Sequence, residues 1–332
     1  MKQFRIVPIG MLSIMLLACG CSKKATSASS NDNFKYEQVS PAFNADSAYQ
    51  YVAAQVNFGT RVTNSKGHAA CGDYLVAQLN RFGATVTEQK STAKAFDGTT
   101  LNIRNIIGSF NPEQTNRIAL FAHWDTRPFA DHDPDAANQH QPILGANDGA
   151  SGVGVLLEVA RAIQKKTPGI GVDIIFFDAE DYGEAAFAEN VPKGDWWCLG
   201  SQYWSKHPHK EGYKARFGIL LDMVGAPDAT FYKEGFSMEN AADVVEKVWS
   251  NARMLGYGKY FIDGKGGSIT DDHVPVNQNA GIPTIDIIQF DPNSESGFGW
   301  YWHTTKDNMD NISKETLKAV GQTIMEVIYK EQ

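Results

Sequence analysis

Val172-Asp-Ile-Ile-Phe-Phe177 runs straight into Asp178-Ala-Glu-Asp181. Six residues dominated by β-branched and aromatic side chains, with no strict polar alternation, read as a strand buried on both faces. The same signature recurs on both sides of it. Ile118-Ala-Leu-Phe-Ala122 leads into His123, Phe217-Gly-Ile-Leu-Leu221 leads into Asp222, and Pro283–Ile288 (PTIDII) is a further strand. Between them, Gly152–Ile163 (GVGVLLEVARAI) reads as a buried helix. Leu317, Val320, Ile324, Val327 and Ile328 repeat at helical spacing behind Ser313, a good N-cap. Apolar strands alternating with helices predict an α/β fold. The expected architecture is a single domain with a mainly parallel twisted sheet covered by helices on both faces.

The whole chain of 332 residues carries 30 Lys+Arg against 38 Asp+Glu, a net charge of −8. No basic face for phosphate binding is expected from that balance, so nucleic acid is excluded as a partner. The first residues obey a different logic. Lys2 and Arg5 precede the uncharged run Ile6–Leu17, which is too short to span a bilayer as a helix. Leu16-Leu17-Ala18-Cys19 resembles a bacterial lipobox, which makes residues 1–18 a lipoprotein signal peptide and Cys19 the lipidated residue. Ser22–Asn33 (SKKATSASSNDN) is too polar to order itself, so 19–33 reads as a tether and 34–332 as the folded α/β domain. The expected location is the bacterial cell envelope, lipid-anchored, facing the periplasm or the surface. Cys71 and Cys198 are either a disulfide or two buried thiols. With no Cys-x-x-Cys or Cys/His cluster, no thiolate zinc site is expected. His68, His132, His140, His207 and His209 sit in polar stretches and are expected to be solvated, and Trp196-Trp197 to pack.

Function is carried by the residues just beyond the strands. Successive strands end at His123, at Asp178/Glu180/Asp181 and at Asp222, and ligand sites in open α/β sheets lie beyond the carboxyl ends of strands. Gly145-Ala-Asn-Asp148-Gly-Ala-Ser-Gly152 precedes the buried helix, and Asp271-Asp272-His273 and Trp302-His303-Thr304 come later in the chain. Singly, each has a bland alternative: Asp148 as a helix cap, the adjacent carboxylates as a solvated loop. Together, Asp148, one carboxylate of the Glu180-Asp181 pair and His303 form a catalytic-zinc donor set. The other carboxylate is left as general acid or base.

The order HWD, GANDGASG, FFDAED, LLDMVGAPDATF, GGSITDDHVPV and YWHTTKDN resembles the M28 zinc exopeptidases. Within them it is most similar to the zinc-dependent glutaminyl-peptide cyclotransferases, from about Asn57 to the C-terminal helix. The resemblance implies a zinc aminopeptidase-like (phosphorylase/hydrolase-like) fold. It implies one Zn2+ held by Asp148, Asp181 and His303, with Glu180 as general base. Asp222 and Asp271 would be a hydrogen-bonded acidic pair, and Trp302 and Ile269 the walls for the substrate side chain. The implied substrates are peptides or proteins with N-terminal Gln. Animal members carry Glu-Glu where this chain has Glu180-Asp181, and Tyr182–Trp197 is longer than their loop. The competing reading within the superfamily is a dinuclear aminopeptidase, in which His123 joins Asp148 and Asp222 around a second metal. A non-catalytic surface-binding lipoprotein is the third.

Overall fold

A computed structural model describes residues 36–227 and 229–331; the signal-peptide, Cys19 and tether readings lie outside them. In chain order the strands are β1 (Thr85–Lys94), β2 (Thr100–Phe110), β3 (Arg117–His123), β4 (Gly171–Phe177), β5 (Gly218–Asp222), β6 (Phe231–Lys233), β7 (Phe261–Lys265) and β8 (Thr284–Ile288). The helices are α1 (Ala45–Val56), α2 (Lys66–Arg81), α3 (Ala150–Lys165), α4 (Leu199–Lys206), α5 (Gly235–Met254), α6 (His273–Pro275, continued by a π turn to Ala280) and α7 (Lys314–Lys330). No helix among the described residues is long and apolar enough to cross a membrane.

The main sheet has the order β1-β2-β4-β3-β5-β8. β4, β3, β5 and β8 run parallel, with His123 opposite Phe177 and Asp222 opposite Ile288. The expected parallel sheet is therefore present. The hairpin β1–β2 adds an antiparallel edge through Ile106 opposite Phe176. That edge escaped the sequence reading because β1 (TVTEQKSTAK) has no apolar face. A polar, lysine-bearing outer strand is how sheets blunt edge-to-edge pairing.

Both sheet faces are covered, which explains the continuous apolar strands. Ile118, Leu120, Ile174 and Phe176 pack on one side with Val153 and Leu157 of α3 and Val320 and Ile324 of α7. Ala119, Phe121, Ile175 and Phe177 pack on the other with Trp204 of α4. Asp173, the one charge inside β4, is satisfied there: Arg117 grips it with two bonds of 2.6 and 2.8 Å, and the Ser109 and Tyr213 hydroxyls donate to it at 2.6 Å. α7 starts as expected, with the Ser313 hydroxyl accepting from the Thr316 N–H at 3.4 Å.

Candidate metal centre and active site

Adjacent strands β4, β3 and β5 end side by side, so their terminal residues meet at one edge of the sheet. His123 closes β3; its Nε2 lies 3.0 Å from an Asp148 oxygen and 3.1 Å from an Asp222 oxygen. Asp148 is held at the entry to α3 and does not cap it; the N-cap is Gly149, without a side-chain bond. A Cβ on Gly149 would stand 2.5 Å from the His123 carbonyl oxygen and 2.6 Å from Nε2, so this position admits no side chain while His123 stays in place. The Asp148 N–H and the Asn147 N–H donate to Asp307 at 3.1 and 2.7 Å, which locks the loop.

The loop after β4 separates three carboxylates with different tasks. Asp178 turns away from the cavity. It receives His68 Nε2 at 2.9 Å, the Arg104 N–H at 2.6 Å and the Ala179 N–H at 2.7 Å. His68 is thus not solvated: it is buried and stacks on Trp124 at 4.2 Å. Ala179 takes a left-handed φ of 53° and His303 one of 52°, a cost the surrounding packing has to sustain and one that clusters at functional sites. Asp125 then takes the N–H groups of Glu180 and Asp181 at 3.1 and 3.2 Å, so both side chains leave one fixed turn.

Asp148, Asp181 and His303 present ligand atoms that all lie within 4.8 Å of one another. His303 Nε2 is 3.3 Å from Asp181 and 3.6 Å from Asp148. A second such group, His123, Asp148 and Asp222, shares Asp148 with the first. Glu180 stands outside both, within 4.8 Å of Cys198 and Asp271 atoms; Cys198 Sγ donates to its Oε1 at 3.3 Å. Cys71 and Cys198 are therefore two buried free thiols. Asp222 and Asp271 line the same cavity, and His123 Nε2 meets Asp222 Oδ1 at 3.1 Å. β5 delivers Asp222 beside His123, whereas Asp271 comes from the loop before α6.

The cavity has a volume of about 230 Å³, below the range of drug-sized ligand pockets and suited to one residue. Trp302, Ile269, Phe298 and Trp197 wall it, and Asp148, Glu180, Asp181, Asp222, Asp271 and His303 supply its polar side. Trp302 lies flat on His303, ring centres 3.8 Å apart, and Trp197 is a cavity wall rather than packing alone.

Several supporting residues carried no sequence signal. Arg127 grips Asp131 with bonds of 2.8 and 2.6 Å, donates to the Asp181 carbonyl at 3.1 Å and lies 4.7 Å from the Trp197 ring. Asp131 in turn sits 3.6 Å from His303 Nδ1, beyond hydrogen-bond distance, as a nearby negative charge behind the imidazole. Arg127 and Asp131 are four residues apart, which hints at a pair, but nothing in the sequence links that pair to Asp181 or His303.

The electrostatics favour a cation. Burial and the neighbouring Asp148 push Asp222 up to about 7. Burial, then Asp148, raises Asp181 well above the carboxylate range, and burial with Asp271 and Asp181 does the same to Glu180. Burial and Arg127 keep His303 neutral, the form that binds metal. Asp181 Oδ2 is buried without a partner. Unpaired buried carboxylates facing a neutral imidazole fit a divalent ion.

This charge balance makes stability depend on pH. Without metal, Asp222 titrates near 7 when folded against 3.8 in its ordinary state. The folded form then binds the extra proton, so metal-free stability falls as pH rises from about 4 to about 7. Chelation should therefore lower the melting temperature more at pH 8 than at pH 5; an equal or reversed difference contradicts the charge argument.

The sequence profile of peptidase family M28 matches residues 105–328. A glutaminyl cyclase of Bacteroides thetaiotaomicron, solved with N-acetylhistamine, is 61% identical over 88% of this chain and 100% of its own, with a TM-score of 0.86. A structure from the same species described as a leucine aminopeptidase precursor is 59% identical over 89% of this chain and 100% of its own, TM-score 0.86. The glutaminyl-peptide cyclotransferase of Bos taurus is 27% identical, covering 80% of this chain and 76% of its own. Aminopeptidase YwaD of Bacillus subtilis is 30% identical over 75% of this chain, which spans about half (49%) of its length. With the site geometry and the profile in agreement, the chain belongs to peptidase family M28.

Proposed function

We propose that this protein is a glutaminyl-peptide cyclotransferase that converts the N-terminal glutamine of peptides and proteins to pyroglutamate with release of ammonia. The observation that carries this reading is a single-residue cavity in which Glu180 and Asp271 face the Asp148/Asp181/His303 ligand group. The α-amine of the substrate is the nucleophile and its own γ-carboxamide the electrophile. Proximity is thus built into the substrate, and the protein's task is to hold the bent conformer. Trp302 and Ile269 wall that conformer and exclude water. Glu180, with its proton affinity raised by burial and by Asp271 and Asp181, takes a proton from the attacking amine and hands it to the departing nitrogen. Asp271 accepts a hydrogen bond from that nitrogen, and Asp222 holds His123. Asp148, Asp181 and His303 would hold one Zn2+, which when bound supplies Lewis acidity toward the γ-carbonyl oxygen.

The His123, Asp148 and Asp222 group supports a second reading, a dinuclear aminopeptidase with water as nucleophile. Zinc content and two variants separate the readings. The cyclase predicts about one zinc per chain, a mild His123→Ala and a crippled Asp271→Asn when ammonia release from a Gln-initiated peptide is monitored. The aminopeptidase predicts about two zinc ions and the reverse order.

Location belongs to the same proposal: Cys19 would carry the lipid anchor that holds the domain at the cell envelope. One acyl chain binds membranes only marginally, so stable anchoring needs the two or three chains of a bacterial lipoprotein. Cys19→Ala should move the protein to the aqueous phase of a detergent partition; persistence in the detergent phase contradicts the anchor.

A further inference from the structure

A metal-binding imidazole is usually oriented through its second ring nitrogen, which donates to a carboxylate, a carbonyl or water. His303 is held differently. Its Nε2 faces Asp148 and Asp181, and no described residue reaches its buried Nδ1 within hydrogen-bond distance. Stacking by Trp302 fixes the plane of the ring but not the direction of Nε2 within that plane. That direction is left to the backbone, and the backbone at His303 is itself costly. Its φ of 52° lies in the left-handed region, where a residue with a Cβ stays only if its surroundings hold it.

The loop after β3 supplies the hold. Of residues 131–140, only Asp131 and Asp133 are buried. Each Asp133 oxygen takes two donors. Oδ2 accepts from the Thr305 N–H at 3.0 Å and from the Thr305 hydroxyl at 2.6 Å. Oδ1 accepts from the Asp135 N–H at 3.0 Å and the Asn138 amide at 3.2 Å. These donors suit an ionised carboxylate and fill its lone pairs, so Asp133 is a strong charge-assisted acceptor and not itself a metal ligand. The loop is also bound to itself: the Gln139 amide donates to the Asp133 carbonyl at 3.1 Å, and the Asp133 N–H to the Ala130 carbonyl at 2.8 Å. Beside it, the His132 N–H donates to the His303 carbonyl at 3.1 Å. The left-handed turn is thereby gripped at His303 and again two residues further on.

We propose that Asp133 is a positioning residue for the metal centre: its grip on Thr305 holds the left-handed turn at His303 and thereby aims Nε2 at the ion. Asp133 stands outside the cavity wall and outside both ligand groups, so it acts only through the 303–305 turn. The inference rests on the proposed function in one respect, the assignment of His303 as a zinc ligand.

The test is zinc affinity, measured on the purified chain by competition with a chromophoric chelator, together with the melting temperature of the metal-free forms. Asp133→Asn keeps the shape of the side chain, but either orientation of the amide sets its NH2 against a backbone N–H, of Thr305 or of Asp135. Its zinc affinity should fall about 10- to 100-fold, the loss typical when a group that orients a ligand is removed. Thr305→Val removes only the hydroxyl bond and should cost about 3- to 10-fold, whereas Thr305→Ser, which restores the hydroxyl, should stay within about threefold of the wild type. A merely structural role would lower the metal-free melting temperature and leave zinc affinity alone; wild-type affinity in folded Asp133→Asn therefore overturns the proposal. Where Asp133→Asn does not fold, Thr305→Val decides: affinity equal to that of Thr305→Ser overturns it. His303→Ala, measured alongside, keeps the two claims apart. Wild-type affinity in that variant removes the ligand assignment and the proposal with it, whereas lost affinity there and wild-type affinity in Asp133→Asn removes the proposal alone.

Discussion

Glu180→Gln is expected to cut turnover by about 10²–10⁴-fold with the metal retained, the usual worth of a positioned acid–base group. The substitution keeps the shape of the side chain and its contact with the Cys198 thiol, but an amide takes no proton from the attacking amine. Glu180 belongs to neither ligand group, so zinc content should match the wild type. Its backbone N–H, held by Asp125 at 3.1 Å, keeps the turn in place whatever the side chain. A zinc-loaded variant with near wild-type turnover would remove Glu180 from the mechanism and pass the proton task to Asp271.

His303→Ala should be the most damaging change on the ligand side, lowering activity more than about 10³-fold. A metal's contribution to charge stabilisation is worth several kcal/mol, and each 1.36 kcal/mol is about a factor of ten. The imidazole is the one nitrogen ligand among Asp148, Asp181 and His303, and Trp302 stacks on its ring. Removing it leaves two carboxylates and an empty corner against the Trp302 ring. Metal analysis on the purified variant should show zinc largely lost at concentrations that saturate the wild type. Full zinc occupancy with full activity would show that the ion sits elsewhere, with His123 and Asp222 as the natural alternative.

How far these side chains could be anticipated depended on how local their signals were. The strands β3, β4, β5 and β8 were legible because burial on both faces leaves an unbroken apolar run, and because each of the first three stops at a residue that binds protons or metal. Since β4, β3 and β5 are neighbours, their ends meet, and His123, Glu180, Asp181 and Asp222 gather as expected. His303 and Asp148 joined them by residue type and by resemblance. The hairpin β1–β2 was missed because an edge strand with no apolar face carries no period. His68 was misread because its neighbours in sequence are polar, whereas its neighbours in space are Asp178 and Trp124. Arg127, Cys198 and Asp307 act through contacts 18 to 160 residues away in sequence, and Asp131 through Arg127, which only the fold carries to Asp181.

A cyclotransferase closes a glutamine side chain onto its own amine in this cavity, whereas a peptidase would cut the peptide bond beyond it. Mass spectrometry of one Gln-initiated and one Leu-initiated peptide, each incubated with the zinc-loaded protein, separates the two outcomes in one measurement. The expected result is loss of a single ammonia from the Gln-initiated peptide, with the Leu-initiated peptide unchanged. Release of free glutamine or leucine, leaving each peptide shorter by one whole residue, would contradict it.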